Sequence, residues 1–429
     1  MNLPLYVKKI FTTIEQTNNE VYIVGGAVRD YLLGIKNSDY DFATNLNVEQ
    51  IMKLFKDYKI INNNSQKHNT VTIYIDHNKV EISTYKGANL KEDLANRDLT
   101  INAIAYHYQQ GLIDYWGGIT DLKKKILRVP NNAKSIIEAD YLRILRVLRF
   151  ASNLGFMIDL DTKNYLFEFK EMLKTISVER IFSELKQILI GKNVLNILLE
   201  YKEILGVIIP DLIPCFNFNQ NSVYHLHDVY THTAYVVSYC PNNYLIRLAA
   251  LFHDIGKPKT YTEEIKDNLV IGHFYGHPKI SMEIAKKNLK RLKCSNIDTS
   301  KILYLVLHHD FYVKDKQDVK KLLVMAPNSD LAVFNQLVDL HLADRIDHVN
   351  CVVENHDEIK KIANLIISNK EVINLKGLAI NGNDLLSLGF KAQEIKKVLN
   401  EVLEAVVTDK LVNEKDIIIK HIQQNMKGV

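Results

Sequence analysis

Cysteine, long apolar runs and excess charge are all scarce in this 429-residue chain. The four cysteines form no Cys-x-x-Cys pair, which argues against a disulfide framework and against a structural zinc site. No stretch approaches the roughly eighteen uninterrupted apolar residues that a membrane span needs, and the first residues lack the regions of a signal peptide. We therefore expect a protein of the cytoplasm with no membrane segment. The cysteines are Cys215, Cys240, Cys294 and Cys351.

The charge balance gives little information about partners. Lysine and arginine number 54 against 50 aspartates and glutamates, so the formal net charge is only +4. Such a small excess does not establish nucleic-acid binding, and a surface for RNA would have to be local. With 47% hydrophobic and 24% charged residues the composition is that of a globular protein, and the length suggests about three domains.

The periodicity of the chain changes once. Residues 1 to about 130 alternate strand and helix patterns, whereas helical periodicity dominates from about Ser135 to the end. We therefore predict an α+β fold in which a small mixed-sheet head is followed by an all-helical body. The predicted strands of the head are Val21–Val24, Tyr40–Ala43, Thr70–Asp76, Lys79–Thr84 and Gly111–Tyr115.

The run VYIVGGAVRDYLLGIKNSDYDFATN carries the strongest chemical signal. A buried strand leads through the Gly25-Gly26 turn into a helix predicted over 27–33, so that backbone amides converge where a triphosphate could lie, with Arg29 nearby. Asp39 and Asp41 alternate on the next strand and should point to the same face. Two adjacent carboxylates repel each other unless a cation lies between them, and magnesium prefers such oxygen ligands. This chemistry suits the transfer of a nucleotide to a hydroxyl group.

The whole run resembles the nucleotidyltransferase core of the class II family, which contains the tRNA CCA-adding enzymes and the bacterial poly(A) polymerases. The resemblance implies a head similar to DNA polymerase β, with Asp39 and Asp41 holding Mg²⁺. Glu81, in KVEISTYK, would supply a third carboxylate or the base that takes the proton of the attacking hydroxyl. An ordinary exposed glutamate on a strand is the alternative.

The segment EDLANRDLTINAIAY is similar to the family's segment that recognises the ribose of the nucleotide. Arg97 and Asp98 are the matching residues. An arginine can hold phosphate oxygens with two hydrogen bonds, and an aspartate can accept hydrogen bonds from ribose hydroxyls. Asn96 stands where the family commonly has a second arginine, so that contact is in question.

In EADYLRILRVLRF, the spacing places Asp140 and Arg143 one turn apart on a helix. The resemblance implies that this pair recognises the base without a nucleic-acid template, because an aspartate accepts from the exocyclic amine of cytosine or adenine and an arginine donates to the ring. A solvated salt bridge is the alternative. Arg146 and Arg149 continue the basic side of the helix, for phosphate contact or for packing. The family usually has a glutamate before the aspartate, and here Ala139 replaces it, so its supporting role is lost or is supplied by Glu138.

The connection after the strand that ends near Thr84 is short. Only YKGANLK separates it from Glu92, whereas full CCA-adding members usually carry a longer flexible loop there. In the family that loop helps to change the pocket from C to A specificity. The resemblance therefore leaves addition of the terminal A open.

A second set of motifs, in YTHTAYVV, LFHDIGK, FYGHPKI and LADRIDH, resembles the HD-domain phosphohydrolases. Imidazoles with carboxylates suit a transition-type divalent metal, which activates water for attack on a phosphate ester. His308 and His309 either join this site or lie in a loop. A helical scaffold that keeps the motif without using it is the alternative. The matching residues are His232, His253, Asp254, His277 and Asp344.

The resemblance covers nearly the whole chain and implies an enzyme that adds CCA, or CC alone, to the 3′ end of tRNA from CTP and ATP. Poly(A) addition, and an HD phosphohydrolase with a nucleotide-sensing head, are the alternatives. The expected domains are a catalytic head at 1–130, a nucleotide- and RNA-binding neck at 131–216, the HD domain at 217–350 and a tRNA-binding tail at 351–429.

Overall fold

A computed structural model describes residues 1, 3–36, 39–61, 69–222, 226–267, 269–346 and 356–425. The chain forms two compact units, Met1–Asn193 and Val194–Val429. The first unit combines a sheet with helices, and the second is helical apart from one hairpin. The predicted order, a mixed-sheet head followed by a helical body, is confirmed.

The first unit is built on a seven-stranded sheet with the order β3-β4-β5-β2-β1-β6-β7. The strands β2 and β5 are parallel, and the other neighbouring pairs are antiparallel. The strand β1 is fully buried because four consecutive apolar residues form it. A separate parallel pair joins β8 to β9. The strands are β1 Val21–Val24, β2 Tyr40–Thr44, β3 Lys59–Ile61, β4 Thr70–Ile75, β5 Asn78–Thr84, β6 Ala105–His107, β7 Gly111–Ile113, β8 Ile126–Leu127 and β9 Met157–Ile158.

Nine helices complete the first unit in the described part of the chain. The helix α2 begins one residue earlier than predicted, and α7 and α9 are amphipathic helices that pack against each other. These helices are α1 Leu5–Glu15, α2 Gly26–Leu32, α3 Val48–Leu54, α4 Leu90–Ala95, α5 Gly118–Lys124, α6 Ala133–Ala139, α7 Arg143–Leu154, α8 Leu160–Glu168 and α9 Val178–Leu189.

The second unit contains thirteen α-helices, three short 3-10 helices and one antiparallel hairpin within the described residues. None of the helices in the described ranges has the length and apolar character needed to cross a bilayer. The helices are α10 Val194–Glu200, α11 Lys202–Ile208, α12 Val229–Tyr239, α13 Tyr244–Phe252, α14 Lys257–Thr260, α15 His277–Arg291, α16 Asn296–His308, α17 Lys316–Met325, α18 Leu331–Ile346, α19 His356–Ser368, α20 Gly382–Ser387, α21 Ala392–Val407 and α22 Lys415–Asn425, and the hairpin strands are β10 Thr262–Lys266 and β11 Leu269–His273.

The five strands predicted for the head are all present, with ends that differ by at most two residues. The short strands β3 and β6 were not predicted. The hairpin β10–β11 also escaped prediction, because its residues are mostly exposed and burial therefore imposes no alternating apolar pattern. Cys215, Cys240 and Cys294 are free thiols, and Cys351 lies outside the described residues.

Candidate functional site

The register of the sheet brings the predicted catalytic carboxylates together. In the parallel pairing of β2 with β5, Asp41 lies opposite Glu81. Paired residues in adjacent strands point to the same face, so both side chains project from the same side of the sheet. Asp39 lies two residues before Asp41, just ahead of the strand. Glu81 also forms an ion pair with Lys79, with 2.6 Å between Oε1 and Nζ.

The electrostatics of this cluster fit a divalent cation. The Asp41 side chain is exposed to a cavity, and the pKa of its carboxyl is raised to about 6. Desolvation by the surrounding protein is the main cause, repulsion from Glu81 and Asp39 adds to it, and the charge of Arg97 opposes it. A carboxylate that is repelled by two others gains from a positive charge placed between them. Asp39 and Asp41, with Glu81 beside them, could hold such an ion.

The two glycines of the first motif lie where β1 turns into α2. Gly25 has a φ of +73°, a conformation that favours glycine, and a Cβ at this position would lie 3.1 Å from Nη1 of Arg97. Gly25 and Gly26 line a cavity of about 590 Å³ together with Asp39 and Asp41. Main chain and carboxylates therefore face the same space, as the sequence predicted.

Arg29 also lines this cavity, and its guanidinium group is held in place. Nη1 donates to Oδ1 of Asn102 at 2.8 Å, and Nε donates to Oδ1 of Asp30 at 2.8 Å. The group lies 5.1 Å from the ring centroid of Phe150. These contacts fix a positive charge beside the space that the carboxylates and glycines border.

Asp98 and Arg146 form an ion pair at the boundary between this cavity and a second one. Oδ2 of Asp98 accepts hydrogen bonds from Nε and Nη2 of Arg146, while Oδ1 accepts from the Leu99 amide and from Asn102. Burial alone would raise the pKa of Asp98, but the charges of Arg146 and Arg143, together with the hydrogen bonds from Asn102 and Arg146, outweigh burial and lower it to about 2. Both oxygens are thus engaged within the protein, so the structure assigns Asp98 an anchoring contact that the sequence did not predict.

The second cavity, of about 560 Å³, contains the predicted base-recognition pair. Asp140 and Arg143 both line it, but the single helix predicted through them is wrong. The helix α6 ends at Ala139 and α7 begins at Arg143, because Asp140 is extended and its Oδ1 accepts the Leu142 amide at 3.1 Å, a local turn that interrupts the helix. The cavity still brings the two side chains to one surface.

The basic residues around the second cavity are held by specific contacts. Arg143 donates from Nη1 to the carbonyl of Ile136 at 2.9 Å and from Nη2 to the carbonyl of Asn96 at 2.7 Å. Arg97 forms an ion pair with Asp93, with 3.0 Å between Nη2 and Oδ2. The position that departs from the family pattern, Asn96, thus supplies a main-chain anchor for Arg143.

Three residues that line these cavities or contact their arginines were not found from the sequence. Arg180, on α9, donates to Oδ2 of Asp140 at 2.7 Å. Glu184, one turn further along α9, is buried and lies 3.4 Å from Nε of Arg149. Lys86 lines the second cavity, and burial together with the neighbouring arginines lowers its pKa. The i, i+4 spacing of Arg180 and Glu184 on a helix was the available signal.

The second unit contains a compact group of histidines and aspartates. Within the described ranges, the two groups of metal-ligating atoms that lie within 4.8 Å of one another are both here, and they share Asp254. One consists of His232, His253 and Asp254, and the other of Asp254, His277 and His309. Asp344 joins the first group, since its Oδ1 lies 2.8 Å from Nε2 of His232.

The orientation of the imidazoles fits metal binding. His253, His277 and His309 each direct Nδ1 to the backbone carbonyl three residues earlier, at 2.6, 2.9 and 2.8 Å. A donor at Nδ1 leaves the lone pair on Nε2, which is how a second contact fixes a histidine as a metal ligand. Nε2 of His277 then lies 3.2 Å from Nε2 of His309, an arrangement in which two lone pairs face each other unless a cation lies between them.

Asp254 is the residue that both groups need. Its Oδ2 lies 3.2 Å from His253 Nε2, and its Oδ1 lies 3.2 Å from His277 Nε2. Both oxygens are buried and make no hydrogen bond of standard geometry within the described part of the chain, and Oδ2 forms an ion pair with Lys257, whose Nζ lies 2.7 Å away. A buried carboxylate in contact with this cation and with the imidazoles suits ion binding. All five predicted residues are therefore together, and His309 rather than His308 joins them.

Three family models match the chain. They are the poly A polymerase head domain over residues 21–128, the probable RNA and SrmB-binding site of polymerase A over 155–215, and the HD domain over 223–348. The presence of nucleotidyltransferase and HD domains implies dependence on divalent metal ions.

Individual relatives agree with these matches. The CC-adding tRNA nucleotidyltransferase of Shouchella clausii is 42% identical over 183 residues, which are 43% of this chain and 48% of the relative, so the match spans about half the length of that protein. The CCA-adding enzyme of Oceanobacillus iheyensis is 28% identical over 96% of both chains.

A solved structure has the same fold. The Bacillus stearothermophilus CCA-adding enzyme in complex with CTP superposes with a TM-score of 0.72 at 22% identity, and the match covers 99% of this chain and 98% of that one. Together, the three family models cover the chain in the order polymerase head, RNA-binding segment and HD domain. The chain belongs to the class II tRNA nucleotidyltransferase family of CCA-adding enzymes and poly(A) polymerases, in a form that carries an HD domain.

Proposed function

We propose that this protein is a tRNA nucleotidyltransferase that adds CCA, or CC alone, to the 3′ end of tRNA, using CTP and ATP without a nucleic-acid template. The observation that carries the proposal is the pair of adjoining cavities in the first unit, which share Arg97, Asp98 and Arg146. One cavity has carboxylates and glycines for a triphosphate, and the other has an aspartate and arginines for a base. The names of the relatives support tRNA as the acceptor.

The residues of the two cavities divide the work of this reaction. Asp39 and Asp41 would hold Mg²⁺, which supplies charge neutralisation and activation of the attacking hydroxyl when it is bound. Gly25 and Gly26 let the main chain approach the triphosphate, and Arg29 presents a fixed positive charge to it.

Base choice belongs to the second cavity. Asp140 accepts from the exocyclic amine, which cytosine and adenine both carry and which uracil lacks. A well-placed base contact discriminates by about 1–3 kcal/mol, which is tenfold or more. No RNA template is needed, because the contact comes from the protein itself. We further propose that the enzyme works in the cytoplasm.

The product length depends on the connection after β5. This short segment is pinned by main-chain contacts, since the Lys86 amide donates to Asp93 at 3.0 Å, the Ala88 amide donates to Glu92 at 2.8 Å, and Asn96 donates to the Lys86 carbonyl at 2.9 Å. A segment held in this way is poorly suited to reshape a pocket between C and A addition. This observation, with the 42% identity to a CC-adding relative, favours the CC product over CCA.

The product can be read directly. Purified protein with Mg²⁺ and labelled tRNA that lacks its last three nucleotides would be given CTP, ATP or both, and product lengths read on a sequencing gel. Two added residues with ATP unused would identify CC addition, three would identify CCA addition, and a long adenosine ladder would identify a poly(A) polymerase. No extension by the intact protein would refute the proposal.

A phosphohydrolase activity of the second unit is a second candidate function, and the bridging position of Asp254 favours it. The two ligand groups that share Asp254 would hold divalent metal ions, which would supply activation of water for attack on a phosphate ester. The cavity of about 330 Å³ lined by Asp254, His277 and His309 is large enough for a phosphate group. Lys257 borders this cavity, with Nζ 2.7 Å from Oδ2 of Asp254. Hydrolysis of a 2′,3′-cyclic nucleotide in the presence of Ni²⁺ or Mn²⁺, retained when Asp41 is replaced by alanine, would separate it from nucleotide transfer.

A further inference from the structure

Arg180 is a residue of the base cavity to which the sequence motifs assign no role. It lies on α9, its side chain is 46% exposed, and its Nη2 donates to Oδ2 of Asp140 at 2.7 Å. Asp140 is followed along the chain by Arg143, but the Nη1 and Nη2 groups of Arg143 donate to main-chain carbonyls of Ile136 and Asn96. Asp140 therefore forms its ion pair with Arg180 of α9, which lines the same cavity.

The backbone at Asp140 makes this contact important. The residue is extended, with φ −157° and ψ 102°, and it lies between two helices rather than inside one. Its carboxylate is fixed by two contacts from different parts of the fold, the Leu142 amide at Oδ1 and Arg180 at Oδ2. If Arg180 were absent, only the local turn would orient the group, and the carboxylate could rotate about its last torsion angle, which is broad for aspartate.

The neighbouring residues do not offer the same support. Ala139 has only a methyl group, and Glu138 is exposed on α6. Arg180 also keeps Asp140 in its acceptor form, because its hydrogen bond and charge lower the pKa of the carboxyl against the opposing effect of burial. Each carboxylate oxygen has two lone pairs, so an oxygen bound to Arg180 can still accept from a base.

We propose that Arg180 is the positioning residue for base selection, holding the carboxylate of Asp140 so that its remaining lone pairs face the exocyclic amine of the incoming base. The inference rests on the proposed nucleotide transfer. Arg180 acts through Asp140 in this role, and its loss should weaken selection for the amine more than it slows transfer.

The test compares CTP with pyrimidin-2-one ribonucleoside triphosphate, which lacks the 4-amino group and keeps the ring nitrogen. For each nucleotide, kcat/KM for one addition to tRNA lacking its last three nucleotides is measured, and affinity is measured by calorimetry with the intact protein. The wild type should prefer CTP by about tenfold or more. In Arg180→Met the preference should fall at least about threefold, while kcat for CTP at saturation changes less.

The matched control is Lys186→Met, which removes one positive charge from the same helix at a residue outside the lining of both cavities. It should keep the wild-type preference, and Arg180→Lys should restore part of it because an ammonium group can replace one hydrogen bond. If Arg180→Met lowers kcat/KM by the same factor for both nucleotides, the preference is unchanged and the inference is overturned. If the wild type adds no nucleotide, the proposed transfer fails, and the calorimetric preference still decides the role of Arg180.

Discussion

The ion pair between Asp98 and Arg146 should be a main source of stability in the first unit. We would replace Arg146 by methionine, which removes the charge and keeps much of the side-chain volume. Asp98 is only 6% exposed, so the variant leaves a carboxylate buried without its cation. The pKa of Asp98 lies near 2 instead of 3.8, and this difference corresponds to about 2 kcal/mol of favourable net interaction with the ionised form.

The expected loss is about 3 kcal/mol at pH 7. Breaking a buried pair by removing one partner typically costs about 3–5 kcal/mol. The lower end applies because Asn102 and the Leu99 amide still bind Oδ1 of Asp98, at 2.9 and 3.0 Å. A surface comparison is Lys174→Met, which breaks an ion pair with Glu171 in which both side chains are exposed, and which should cost about 1 kcal/mol or less.

The dependence on pH follows from the sign of the pKa shift. Because the folded pKa of Asp98 is depressed, its stabilisation is present above the unfolded pKa of about 4 and is lost as the pH falls through about 2. Without Arg146, burial instead raises the folded pKa, so protonation stabilises the variant. The stability difference between wild type and Arg146→Met should therefore shrink as the pH is lowered from 7 towards 4.

Trp116 provides a selective probe for this measurement. It is the single tryptophan of the chain and packs against a hydrophobic cluster of the first unit, so its fluorescence reports the unfolding of that unit. Urea titrations without nucleotide, analysed by linear extrapolation, give the free energy of unfolding of each variant. If Arg146→Met proves as stable as Lys174→Met, or if the stability difference between wild type and Arg146→Met grows at low pH, the reasoning is refuted.

Four further changes test the remaining parts. Asp41→Asn should lower kcat for cytidine addition at least about a thousandfold with unchanged Trp116 fluorescence, and a smaller loss would show that Asp41 does not hold the metal. Asp140→Ala should reduce the preference for CTP over UTP about tenfold while transfer continues, and an unchanged preference would count against base recognition by this residue. His309→Ala should lower the bound transition metal measured by mass spectrometry by about one ion per chain, whereas His308→Ala, beside it but outside both ligand groups, should not. Gly25→Ala should destabilise the first unit by about 1–3 kcal/mol and raise KM for CTP, because its φ of +73° suits glycine and the new Cβ would displace Arg97; equal KM values would contradict this.

Much of the head could be predicted because its elements have strong local signals. Four consecutive apolar residues define β1, and the alternation of Asp39 and Asp41 defines the start of β2. The parallel pairing that places Glu81 opposite Asp41 could not be derived from the residues, because it depends on main-chain pairing between segments forty residues apart. The resemblance to a family supplied Glu81 as a candidate instead.

The base cavity shows where local patterns mislead. The spacing of Asp140 and Arg143 fits one helical turn. The Asp140 side chain instead accepts a hydrogen bond from the Leu142 amide, and this local turn interrupts the helix. The role of Arg180 could not be predicted, because its contact with Asp140 joins residues forty positions apart and its helix has the pattern of an ordinary charged amphipathic helix. His308 and His309 could not be separated by sequence either, since only the end of α16 decides which ring turns inward.

The parallel register of β2 and β5 sets the positions of the carboxylates without involving the connection that follows Thr84. The relative positions of Asp41 and Glu81 are fixed by pairing that runs from Tyr40 opposite Val80 to Thr44 opposite Thr84, before the pinned connection begins. On the proposed function, residues inserted or deleted after Thr84 would change which nucleotide is added last without disturbing the carboxylates. A slip of β5 by one residue against β2 would instead bring Val80 or Ile82 opposite Asp41 and turn Glu81 to the other face of the sheet. Changes beyond Thr84 and changes in the strand pairing therefore act on different parts of the proposed reaction.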